Sequence, residues 1–183
     1  IINAGDGMHE HPTQALLDMM TMREAFGTLK GLKVAIIGDI SHSRVARSNI
    51  IGLLKMGSQV NLYAPSTLMP IGIDQMGAKI CPTIEDAVEN CDVIMGLRVQ
   101  LERQKKALFP STSEYSRFFG LNPDNIKRAK KDVLFMHPGP VNRGIEMTSS
   151  LIDADKSVIN MQVTNGVAVR MALLYLLTGR EEA

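Results

Sequence analysis

LKVAIIG, residues 32–38, is a continuous apolar run rich in β-branched residues once past Lys33, and it ends on a glycine. A strand with one wet face alternates apolar and polar positions. A strand that is apolar throughout suits burial on both faces, the condition of a parallel sheet covered by helices. The flanking pattern agrees. SRVARSNIIGLLKMG (43–57) has helical spacing and is closed by Gly57. SQVNLYAP follows as a second strand, GAKIC (77–81) as a third after a short helix, CDVIMGLR (91–98) as a fourth and DVLFMHP (132–138) as a fifth. TIEDAVEN (83–90) reads as a helix, with Thr83 and Asp86 forming a weak capping box. Two short helices are expected in 113–131, around Gly120 and Pro123. Residues 12–26 carry a proline at a good helix start and apolar residues at Ala15, Leu16, Met19, Met20 and Met22. Segment 160–179 reads as a helix that is apolar on more than one face. Strand–helix alternation of this kind predicts an α/β fold, a doubly wound, Rossmann-like parallel sheet of about five strands.

Composition narrows the function. The chain has 183 residues, with Lys and Arg numbering 20 against 19 Asp and Glu, a net charge of +1. That balance is no footprint for nucleic acid, so basic residues that matter must act locally. Cys81 and Cys91 form no CxxC, which favours free thiols and a cytoplasmic protein. MALLYLL (171–177) is far too short to span a bilayer. The chain opens on IINAG rather than Met and reads as a piece of a longer protein.

In open α/β sheets ligands bind beyond the carboxyl ends of the strands. The loops there are GDISHSRVARSN, LRVQLERQ and HPGPVNRG. They deliver Arg44, Arg47, Arg98, Arg103 and Arg143, with Gln100 and His137. Arg grips carboxylate and phosphate bidentately, and Arg44 also falls in the first turn of a helix, where free N–H groups favour anions. Arg98 and Gln100, two apart in an extended segment, point to the same side. Their joint placement suggests a pocket for a small, multiply negative ligand; Arg47 and Arg103 suit structural ion pairs. GDI (38–40) lacks a GxGxxG fingerprint, so no dinucleotide cofactor is expected. HPGP is a turn whose two prolines favour a cis bond.

GDGMHEHPTQALLD (5–18) poses the remaining question. A metal reading of His9 and His11 needs further ligands, and His42 and His137 lie in separate loops without a supporting cluster. At a helix mouth, His11 and Gln14 are three apart and share a face. A histidine and an amide so placed can polarise a carbonyl and hold an amide group. His9 has no role in that scheme and is expected to be exposed.

NAGDGMHEHPTQALLD, SRVARSN, LRVQLERQ, MHPGPVNRG and QVTNGVAVRMALLYLL together resemble the C-terminal half of the aspartate carbamoyltransferase family, through essentially the whole chain. HPTQ and HPGP stand where the ornithine-specific sister enzymes carry a cysteine in the first motif and HCLP in the second. The resemblance implies that His11 hydrogen-bonds the carbonyl oxygen of carbamoyl phosphate. Gln14 would hold the carbamoyl group with backbone carbonyls around Pro138 and Gly139, Gly139–Pro140 being cis. Arg44 and Arg98 would grip the two carboxylates of L-aspartate, with Gln100 beside them. No cofactor or metal is implied.

The family's other half carries an STRTR phosphate loop, which this sequence does not contain. The implied division is 1–31 interdomain loop and helix, 32–159 aspartate-binding domain, and 160–183 interdomain helix. The terminal helices would pack on an N-terminal carbamoyl-phosphate domain, leaving Met19, Met20, Met22, Val167, Met171, Leu174 and Leu177 short of cover without it. The implied partners are that domain, two further copies in a homotrimer, and regulatory or other pyrimidine-pathway chains, with neither nucleic acid nor membrane. A non-catalytic dicarboxylate-binding or assembly domain is the rival from another class.

Overall fold

A computed structural model describes residues 1–99 and 111–178. Helix α1 (Pro12–Phe26) leads into strand β1 (Lys33–Ile37), helix α2 (Arg44–Lys55), strand β2 (Gln59–Tyr63), two 3₁₀ turns and strand β3 (Lys79–Ile80). Helix α3 (Ile84–Val88), strand β4 (Val93–Gly96), helix α4 (Thr112–Phe119), strand β5 (Leu134–Met136), helix α5 (Ser149–Ile152) and helix α6 (Ile159–Leu177) complete it. The five strands lie in the order β3-β2-β1-β4-β5, and every pairing is parallel. β1 is central, and the chain reverses direction across the β1–β4 boundary. That boundary is the topological switch point where such sheets bind ligands.

The apolar run of β1 divides by strand periodicity. Val34 and Ile36 enter a core with Ile50 and Leu53 of α2 and Met22 of α1. Ala35 and Ile37 enter a second core on the opposite face, with Ile84, Ala87 and Val88 of α3 and Leu151 of α5. A strand buried on both faces cannot alternate in polarity. Gly38 ends β1 at φ +130°, and a Cβ there would stand 2.9 Å from the Leu97 carbonyl oxygen. Only glycine lets the ends of β1 and β4 approach so closely.

Two expectations need correction, and one element had no expectation at all. Residues 120–131 form turns, not a second helix. The Asn122 side chain accepts from the backbone N–H groups of Asp124 (2.9 Å) and Asn125 (3.1 Å), and Asn125 Oδ1 accepts from the Asn122 N–H (3.0 Å). Side-chain bonds of this kind satisfy the backbone outside a helix. The single-turn helix α5 is too short to announce itself by periodicity. Met22 is fully buried in the sheet core, whereas Met19 and Met20 are only partly covered.

α6 is inverted relative to an ordinary surface helix. Its buried residues are Gln162, Asn165 and Gly166, packed on α1, where Gln162 and Asn165 reach Asp18 and Thr21. Most of its apolar residues face outward, with Val163 69% and Leu176 72% exposed, while Ile159, Val169 and Leu173 are half-buried. Among the described residues no helix is long and apolar enough to cross a membrane. Cys81 and Cys91 are free, buried thiols; burial pushes Cys91 up to about 12, so it stays protonated.

Candidate active site

His11, Gln14, Ser43, Arg44, Val45, Arg98, Pro138, Gly139 and Pro140 line one cleft of about 190 Å³. Four separate segments meet there: the start of α1, the start of α2, the chain leaving β4 and the chain leaving β5. Of the residues singled out by sequence, His11, Gln14, Arg44, Arg98, Pro138, Gly139 and Pro140 are brought together. Gln100 and Arg103 lie outside the described residues. Arg47 is not among the lining residues, and Arg143 instead holds Asp153 at the surface through two bonds of 2.7 and 2.8 Å.

Each side chain arrives by a local device. His11 is the residue before Pro12, which opens α1; proline disfavours helical backbone in its predecessor and so sets the helix start. The His11 backbone N–H donates to Ser48 Oγ of α2 (2.8 Å), and that hydroxyl in turn donates to Glu10. The Thr13 hydroxyl lies 3.4 Å from His11 Nδ1. Desolvation, then the positive charges of Arg44 and Arg170, lower the His11 pKa to about 4, so the ring is neutral at physiological pH. His9 instead bonds Asp6 at the surface (3.3 Å). No group of three His, Cys, Asp or Glu side chains that could hold a metal ion occurs among the described residues.

Arg44 is the first residue of α2, whose N-cap Ser43 accepts from the Ala46 N–H (3.1 Å). Its guanidinium lies against Gly5, where a Cβ would come within 2.7 Å of Cζ. Gly5 therefore gives the Arg44 guanidinium a backbone surface with no side chain in the way. Asp39 at the end of β1 is buried and holds the His42 ring (2.8 Å) in the same loop. The HPGP loop follows β5. Gly139–Pro140 is cis, the Gly139 N–H donates to His137 Nδ1 (3.0 Å), and the His137 N–H donates to Gln162 of α6 (2.9 Å).

Sequence reasoning missed the scaffold behind these residues: Gly5, Asp18, Asn49 and Gln162. Gln14 and Asp18 are four apart on α1, a spacing that was available as a signal. Asn49 and Gln162 reach Asp18 only through tertiary packing.

Known proteins bear on this arrangement. A family model described as the Asp/Orn binding domain of aspartate/ornithine carbamoyltransferase matches residues 30–177, and one described as its carbamoyl-P binding domain matches residues 1–24. The chain is 65% identical over 181 residues to the aspartate carbamoyltransferase catalytic subunit of Acetivibrio thermocellus, covering 99% of this chain and 58% of that one. It is 64% identical over 180 residues to the corresponding subunit of Ruminiclostridium cellulolyticum, covering 98% and 58%. The chain thus spans 58% of the length of these relatives. Among solved structures, ornithine carbamoyltransferase from Pyrococcus furiosus superposes with a TM-score of 0.80 at 31% identity, covering 95% of this chain and 58% of that one. Aspartate transcarbamoylase from Trypanosoma cruzi, in complex with aspartate and phosphate, does so with 0.78 at 30%, covering 94% and 59%.

Proposed function

The chain belongs to the aspartate/ornithine carbamoyltransferase family, and on that premise we propose that its cleft is the aspartate and carbamoyl side of an aspartate carbamoyltransferase site. The observation that carries this reading is the gathering of His11, Gln14, Arg44, Arg98 and Pro138–Pro140 around one small, polar cleft. Two guanidinium groups from different strand ends suit the two carboxylates of aspartate. They would repel the cationic side chain of ornithine. A site for the dicarboxylate alone needs neither a neutral histidine nor Gln14, and this favours transfer over mere binding.

In the proposed reaction the aspartate amine, as the free base, attacks the carbonyl carbon of carbamoyl phosphate. The new C–N bond forms, the C–O bond to phosphate breaks, and the phosphate leaves with the proton the amine sheds. No general-base pair is required. Thr13 Oγ1 lies 3.4 Å from His11 Nδ1; in the tautomer in which that hydroxyl donates, the ring proton sits on Nε2, ready for the carbonyl oxygen as negative charge develops on it. A donor aimed at a developing oxyanion does more for the transition state than for the bound substrate. The Gln14 side-chain oxygen and backbone carbonyls of the HPGP loop accept from the carbamoyl NH₂.

The grip on the phosphate falls to a carbamoyl-phosphate-binding half, against which 1–31 and 160–183 pack, with 32–159 as the aspartate domain. A homotrimer, association with regulatory or other pyrimidine-pathway chains, and a cytoplasmic location complete the reading. It is tested by assaying carbamoyl-aspartate formation when the chain is combined with such a half. Aspartate as the accepted amine supports it, and preference for ornithine would overturn it.

A further inference from the structure

Behind the cleft, Asp18 is fully buried between α1, α2 and α6. Its Oδ1 accepts from Gln14 Nε2 (3.0 Å) and Gln162 Nε2 (2.8 Å), and its Oδ2 accepts from Asn49 Nδ2 (2.8 Å). A carboxylate offers only acceptors, so each of these amides must turn its nitrogen toward it. The polarity then propagates. Gln162, with its nitrogen on Asp18, keeps its oxygen for the His137 backbone N–H (2.9 Å). The His137 ring, accepting from the Gly139 N–H at Nδ1 (3.0 Å), carries its proton on Nε2, which faces Glu146 at 3.4 Å. Gln14, with its nitrogen likewise committed, keeps its oxygen for the cleft it lines.

We propose that Asp18 is the positioning residue of the carbamoyl subsite: it fixes Gln14 so that the amide oxygen faces the substrate, and through Gln162 and His137 it holds the HPGP backbone in place. This rests on the reading of the cleft given above. An amide free to rotate offers NH₂ and C=O equally, and an NH₂ facing the carbamoyl NH₂ is a donor meeting a donor. Asp18 removes that alternative. Burial raises its pKa to about 6, with the bonds from Asn49, Gln162 and Gln14 working against the rise. The carboxylate is therefore the predominant form at neutral pH.

The test uses the enzyme formed by this chain together with a carbamoyl-phosphate-binding half. Asp18→Ala should lower kcat/KM for carbamoyl phosphate about 10- to 100-fold, the range of a lost charge-assisted hydrogen bond, while the KM for aspartate moves less than about threefold. Because Asp18 acts largely through Gln14, Asp18→Ala should cost much less in a Gln14→Ala background than alone. An Asp18→Ala enzyme with unchanged kcat/KM, or losses that add in full and fall equally on both substrates, overturns the inference. If Asp18→Ala does not fold, the other arm of the network decides. Gln162→Ala leaves the His137 N–H without its acceptor and should lower kcat/KM for carbamoyl phosphate at least about threefold while the KM for aspartate moves less; an unchanged kcat/KM for carbamoyl phosphate overturns the inference. Full activity in Gln14→Ala itself would overturn the cleft assignment along with it.

Discussion

At the residue scale the charge state of His11 is the sharpest expectation. Its pKa lies near 4 in the folded chain against an ordinary 6.5. The ring's proton NMR signals should therefore titrate with a midpoint near 4, and a midpoint near 6.5 would contradict the burial and the two arginines. The sign of the linked stability follows. Between those values the unfolded chain binds the proton more readily than the native one, so this contribution is complete above about 6.5 and is lost as pH falls toward 4. In the assembled enzyme His11→Ala should lower turnover by about 100- to 1000-fold, the usual loss of one oxyanion donor. Arg98→Ala should raise the aspartate requirement on the order of a hundredfold and leave carbamoyl phosphate binding nearly unchanged. Steady-state kinetics with each substrate varied separates the two. These four residues, His11, Gln14, Arg44 and Arg98, are legible in sequence because each is the kind of group its ligand needs, at a strand end or helix mouth. Asp18 is not, because its partners Asn49 and Gln162 lie 31 and 144 residues away.

At the element scale the strands are legible because burial on both faces leaves the same apolar run whichever way the side chains point. Turns are harder. Residues 120–131 hold helix-compatible stretches, yet Asn122 and Asn125 capture the backbone instead, and only the fold shows which set of bonds wins. Gly38 is the element-scale device of the site, since the loops carrying Arg44 and Arg98 leave from the two strand ends it brings together. Gly38→Ala combines a positive φ with a backbone clash at 2.9 Å and should destabilise the domain by about 2–4 kcal/mol. A midpoint of urea unfolding unchanged from the parent would show that the approach of β1 and β4 tolerates a methyl group.

At the scale of the whole molecule, α6 turns polar residues inward and Val163, Val167, Met171, Leu174, Tyr175, Leu176 and Leu177 outward, each more than half exposed. Contiguous apolar surface beyond a few hundred Å² is unusual on a soluble monomer. Light scattering of the 183-residue chain should show self-association that a carbamoyl-phosphate-binding half suppresses; a monodisperse monomer would count against α6 as an interdomain surface. The most direct test of the central claim is carbamoyl-aspartate formation, measured for the chain alone, for the chain mixed with a separately produced carbamoyl-phosphate half, and for the same mixture carrying His11→Ala. The account predicts no product from the chain alone, product on mixing, and its loss in the variant. Turnover by the chain alone, or no product from halves shown to associate, would contradict it.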